Sequence, residues 1–133
     1  MIESRETAEL TVDQLTYDTD GLIPVVVQDA GDREVLMVAW MNREALIRTL
    51  ATGQVTFYSR SRKRLWRKGE ESGNTLTVRS VAYDCDGDTL LVTAEMGGEA
   101  KACHTGQRTC FYRTLSAQIR SEGVARRRDC SNT

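Results

Sequence analysis

The sequence has almost no charge imbalance, with 18 lysines and arginines against 19 aspartates and glutamates. Without an excess of either sign there is no bulk field to gather nucleic acid or an anionic membrane surface. Long apolar runs are also missing: none approaches the roughly 18 residues a membrane span needs. The opening Met1-Ile2-Glu3-Ser4-Arg5-Glu6 lacks the apolar core of an export signal. The expectation is a cytoplasmic protein with no membrane partner. In that reducing setting cysteines serve metals or catalysis rather than disulfides. Internal repeats and linkers are absent too. The 133 residues read as a single domain, with a modest core over 20–115 and a polar, arginine-rich tail over 116–133.

Histidine is scarcer still. The only one, His104, falls between Asp84 and Cys110, a run that also holds three of the four cysteines. Asp84, Asp86 and Asp88 alternate there with Cys85 and Gly87, and a strand-like segment leads on to Cys103 and Cys110.

The rest of the chain reads as scaffold for that run. Val25–Gln28 is a β-branched strand, Asp29–Asp32 a turn, and Glu34–Trp40 the second arm of a hairpin. Asn42 caps a helix with Leu46, Ile47 and Leu50 on one face, and Gly53 ends it. Gln54–Ser59 is a further strand, and a basic loop runs from Ser59 to Gly69. Two long strands, Thr75–Tyr83 and Thr89–Met96, flank the acidic turn. A short helix over Thr11–Asp18, a last strand over Thr109–Arg113 and a short helix after Ser116 complete the reading. The fold class is α+β and β-dominated: a small mixed-sheet domain with one or two short helices.

Cys85, Cys103 and Cys110 have no fourth cysteine near them, the pattern of a tetrahedral zinc site whose last position is open to water. Zinc brings the pKa of such a water toward neutrality. Small buried residues are the alternative reading of the same cysteines, and Cys130, in the tail, stands apart. Three carboxylates within five residues repel one another unless a hard divalent cation lies between them. An EF-hand is excluded because its glycine position would be Thr89. A solvated acidic turn remains the plainer reading. His104 suits acid–base work better than ligation, since adjacent residues seldom bind one metal together; a structural histidine is the third option.

Six arginines and lysines lie between Arg60 and Lys68, with Trp66 among them. Arg60, Arg62, Arg67 and Lys68 could hold phosphate while Trp66 stacks on a base. Nucleic-acid binding by this loop, around a structural zinc, is the competing reading. Glu70-Glu71 directly after it favours a small phosphorylated ligand and no nucleic acid.

These blocks resemble the phosphoribosyl-AMP cyclohydrolase family of histidine biosynthesis. The likeness rests on Asp84-Cys85-Asp86-Gly87-Asp88, Ala102-Cys103-His104-Thr105-Gly106 and Cys110-Phe111-Tyr112-Arg113. It extends to Trp66-Arg67-Lys68-Gly69-Glu70-Glu71-Ser72-Gly73-Asn74 and Leu36-Met37-Val38-Ala39-Trp40-Met41-Asn42. The resemblance implies an intertwined homodimer that uses Zn2+ and Mg2+ and opens the adenine ring of phosphoribosyl-AMP between N1 and C6. It implies zinc on Cys85 of one subunit with Cys103 and Cys110 of the other, and magnesium on Asp84, Asp86 and Asp88. His104 takes the catalytic role, and Ser72 and Asn74 join the substrate contacts. Between Met96 and Ala102 the loop is longer than the family's usual connection and lacks its proline. The length leaves no room for the pyrophosphohydrolase domain that some members carry.

Overall fold

The computed structural model describes residues 9–121 and 124–127, and its centre is a four-stranded mixed sheet. Alternation builds the first strand, β1 (Ile23–Asp29), where Ile23, Val25 and Val27 are buried and the residues between them are only half-covered. Asp29 turns the chain by accepting the N–H groups of Gly31 and Asp32, and β2 (Val35–Met41) returns antiparallel. After helix α1 (Arg43–Thr52) come β3 (Thr56–Ser59), β4 (Arg64–Arg67), β5 (Leu76–Tyr83) and β6 (Leu90–Met96). The sheet order is β2-β1-β6-β5, with β1 and β6 parallel and the two outer pairs antiparallel. An α+β fold with a mixed sheet, as expected, is what forms.

Helix α1 starts where Asn42 accepts the Ala45 N–H and stops at Gly53, whose φ of 77° lets its own N–H reach Thr49 O. Its buried face is Ala45, Leu46 and Thr49, not the expected Leu46, Ile47 and Leu50. The Thr49 hydroxyl decides this: it donates to Ala45 O and accepts the Thr56 N–H, both at 2.9 Å, tying the helix to β3. A hydroxyl with both partners satisfied can be buried. Leu50 is left 52% exposed, over an apolar hollow shared with Leu10, Leu15 and Val81.

Four segments differ from the sequence reading. Thr11–Asp18 forms only a 3-10 turn at Val12–Gln14, because the Thr16 N–H is drawn to Gly87 O at 2.8 Å and Leu15 is extended. The basic loop contains a strand: β3 and β4 pair antiparallel, Phe57 opposite Trp66, their rings 5.1 Å apart. Fully buried Phe57 anchors that hairpin, a burial worth about 1.5–3 kcal/mol. Thr109–Arg113 forms no strand. It makes one backbone bond to β2, Cys110 N–H to Leu36 O at 2.8 Å, and Thr109 spends its hydroxyl on Val35 O. After Ser116, β7 (Gln118–Ser121) and β8 (Val124–Arg127) pair as a hairpin where a helix was expected. No described helix is long and apolar enough to cross a membrane.

Candidate active site

The turn between β5 and β6 gathers Asp84, Asp86 and Asp88. One oxygen from each lies within 4.8 Å of the others, and all three residues are exposed. The backbone forces this: Gly87 adopts φ 70°, its N–H returns to Asp84 O, and the Asp88 N–H donates to Asp84 Oδ1 at 3.0 Å. Partial desolvation works against the Asp84 carboxylate, yet hydrogen bonds from the Asp88 backbone and from the neighbouring carboxyls hold its pKa below the usual 3.8. Asp88 is pushed up by its bonds to the Asp86 and Asp84 carboxyls. Such an all-oxygen set suits a hard divalent cation.

A second turn carries the thiols. Ala102 N–H donates to Arg108 O and Cys103 N–H to Gln107 O, while Gly106, at φ 92°, closes the loop onto Cys103 O. Cys103 is 9% exposed and Cys110 exposed. The Thr105 hydroxyl, 3.0 Å from Cys103 Sγ, and its backbone N–H lower the Cys103 pKa, helped by Cys110 and the charge of Lys68. Desolvation and the Cys103 thiolate push the Cys110 thiol up. Lys68 is half-buried, and that burial lowers its pKa against the pull of the two thiols. Two sulfurs beside an ammonium, one sulfur already eased toward thiolate, fit a soft-ligand metal.

From the far side Arg108 steadies the thiol turn. Its guanidinium lies 3.4 Å from Asp29 and 3.3 Å from Asp32 and is also paired with Glu34. Arg108 has no role in the sequence reading, since its partners Asp29, Asp32 and Glu34 are distant in the chain, and Thr105 appears there only within the Ala102–Gly106 block.

His104 is exposed and lines a cavity of about 410 Å³ with Arg62, Trp66, Arg67, Lys68 and Ser72. Those five are among the expected substrate contacts. Arg64, Glu70 and Glu71 line it as well. Arg60 lies elsewhere, stacked 4.5 Å over the Trp40 ring in a neighbouring hollow. Asn74 does not line the cavity; its Oδ1 accepts the Glu99 N–H at 2.8 Å.

Cys85 is exposed on the acidic turn and does not meet the other two thiols within the chain. That turn leads into Leu90, whereas Cys110 bonds to Leu36, beside the far ends of β1 and β6. Strand rise and spacing put the two turns on the order of 20 Å apart. Among the described residues, only the three aspartates form a cluster of three or more metal-ligating side chains. Cys130 lies outside the described residues.

Comparison with known proteins finds relatives over most of the chain. The profile of a family described as phosphoribosyl-AMP cyclohydrolase matches residues 37–112. A phosphoribosyl-AMP cyclohydrolase of Bordetella petrii is 55% identical over 101 residues, covering 76% of this chain and 75% of that protein. One from Halorhodospira halophila is 50% identical over 123 residues, covering 86% and 85%. The histidine biosynthesis bifunctional protein HisIE of Thermosynechococcus vestitus is 56% identical over 104 residues, 78% of this chain but only 48% of that protein. The chain thus spans about half the length of the bifunctional relative.

Proposed function

Because the chain belongs to the phosphoribosyl-AMP cyclohydrolase family, we propose that it hydrolyses the N1–C6 bond of the adenine ring in phosphoribosyl-AMP, a step of histidine biosynthesis. The observation that carries this reading is the cavity itself, in which His104 stands among Arg62, Arg67 and Lys68 beside the thiol turn. A proton donor and cations for phosphate line it, and Lys68 links it to the turn that carries Cys103 and Cys110.

In the reaction, water adds across the bond: its oxygen goes to C6, the C6–N1 bond breaks, and N1 takes a proton. The exocyclic amine stays on C6. His104 delivers the proton to N1. Arg62, Arg67 and Lys68 hold the two phosphates, and Trp66 offers its ring to the base. Cys103 and Cys110 of one chain, with Cys85 of a second copy, would hold zinc, and Asp84, Asp86 and Asp88 magnesium. When bound, zinc supplies a water acidic enough to act near neutral pH. The separation of the turns, on the order of 20 Å, is the reason for invoking a homodimer.

The nucleic-acid reading fares worse. Glu70 and Glu71 share the cavity with the arginines, and Glu70 lies 3.8 Å from Arg64. Carboxylates so placed repel a continuous polyanion yet leave room for two discrete phosphates. The test is direct: purified, zinc-loaded protein in magnesium-containing buffer is given phosphoribosyl-AMP and ring opening is followed in the ultraviolet. No change with zinc fully bound would refute the activity.

A further inference from the structure

The loop from Gly97 to Ala102, which delivers the chain to Cys103 and His104, belongs to no strand. Its backbone is held instead by the loop that follows β4. The Gly97 N–H donates to Thr75 O at 2.9 Å, and the Glu99 N–H donates to the Asn74 side chain at 2.8 Å. Lys68 Nζ donates to Ala102 O at 2.6 Å. The two loops approach so closely that only glycine fits between them. At Gly98, where φ is +61°, a Cβ would stand 2.3 Å from Gly73 O and 2.8 Å from Asn74 Oδ1. At Gly97, a Cβ would stand 2.5 Å from Thr75 Oγ1 of that loop.

We propose that Asn74 is a positioning residue for the thiol turn and not a contact to substrate. Its side-chain oxygen seats the 97–102 loop against the basic hairpin, and so sets Cys103 and His104 relative to Arg67 and Lys68. The bond is made by an acceptor at position 74 to a backbone donor. Aspartate can therefore replace asparagine and alanine cannot, while the Glu99 side chain, paired with Lys101 at 3.1 Å, takes no part in the bond. Outer partners of this kind orient metal ligands and adjust how tightly they hold. The consequence for metal and turnover rests on the reading of the preceding section, whereas the seat itself does not.

The experiment compares Asn74→Ala, Asn74→Asp, Gly98→Ala and the control Glu99→Gln in the full chain. Three readouts are taken: exchange of the Glu99 amide hydrogen, release of bound zinc to a chelator, and kcat and KM separately. Asn74→Ala should speed exchange at Glu99 and quicken zinc release by about 10-fold. It should lower kcat while KM stays within about 2-fold. Asn74→Asp should restore all three, and Glu99→Gln should match wild type. Gly98→Ala, if it folds, should behave as Asn74→Ala; if it does not fold, the pair at position 74 decides alone. A rise in KM with wild-type exchange and zinc release would make Asn74 a substrate ligand and overturn the proposal. Failure of aspartate to rescue would overturn it equally. Wild-type protein that ignores phosphoribosyl-AMP would sink the activity while leaving the exchange and release comparisons to judge the seat.

Discussion

Lys68 Nζ lies 2.6 Å from the carbonyl oxygen of Ala102, so one ammonium joins the basic hairpin to the residue before Cys103. Ala102 is buried, and its carbonyl loses this donor if the lysine goes. Lys68→Met in the metal-free chain should cost about 1–3 kcal/mol, the penalty for a buried acceptor left unpaired. Lys68→Arg, which can still donate, should fall between. Denaturant midpoints of the three proteins check this; a Met variant as stable as wild type would show that water replaces the ammonium.

His104 is expected to carry the proton and not the metal. His104→Ala should retain zinc and lose roughly 10²–10⁴-fold in kcat, with one limb of the pH–rate profile flattened. Zinc content per chain, measured beside kcat, separates the two roles: activity lost in step with zinc would make His104 a ligand.

The distance between Cys85 and the other thiols has a consequence that mixing can test. Cys85→Ser and Cys103→Ser should each be inactive alone. Unfolded together and refolded, they should regain activity, since each mixed dimer has one site with all three cysteines intact. No recovery from a mixture shown to contain mixed dimers would place all three ligands within one subunit.

The acidic turn should behave independently of the thiols. Asp88→Asn removes the carboxyl whose pKa is raised by its neighbours and should weaken magnesium binding while zinc stays bound. Zinc loss in this variant would instead assign the carboxylate to the zinc site.

Asp29 gives a pH-dependent stability. The Asp32 and Gly31 N–H groups and Arg108 hold its carboxyl below the usual 3.8. A pKa lowered by folding means that the stabilisation is fully present above about pH 3.8 and is lost as pH falls through the lowered folded value. Asp29→Asn should lower the denaturation midpoint at neutral pH by an amount equivalent to about 1 kcal/mol. The difference should vanish in acid, where the wild-type carboxyl is protonated. A gap that persists at the lowest pH would mean that charge is not its origin.

Both sheet hairpins and α1 were legible because their signals are local: alternating β-branched residues, the Asp29–Asp32 and Asp84–Asp88 turns, and the Asn42 and Gly53 caps. The parallel pairing of β1 with β6 was not, since no local signal says which strands become neighbours. Arginine and lysine masked β4; what makes it a strand is the packing of Leu65 and Trp66 onto the core, a tertiary effect. At the candidate site, the acidic cluster and the Cys103–Cys110 turn follow from short spacings. The seat on Asn74 and the Arg108 cluster join residues far apart in sequence, and Asn74 by its type alone reads as readily as a substrate contact.

The β1–β6 seam joins residues roughly 65 positions apart, while each flanking hairpin closes over a short turn. Loop-closure entropy leads to the expectation that the seam forms late in folding, after the two hairpins. The acidic turn closes the β5–β6 hairpin, with one further bond from the Thr16 N–H to Gly87 O, whereas the thiol turn rests on Leu36 of the β1–β2 hairpin. It is also seated on the loop before β5. A partly folded chain with its seam open would thus keep its carboxylates in register but could not bring together the two supports of its thiol turn. In refolding, the acidic turn is therefore expected to form before the thiol turn is seated, an order that pulsed hydrogen exchange at Asp88 and Cys103 would reveal.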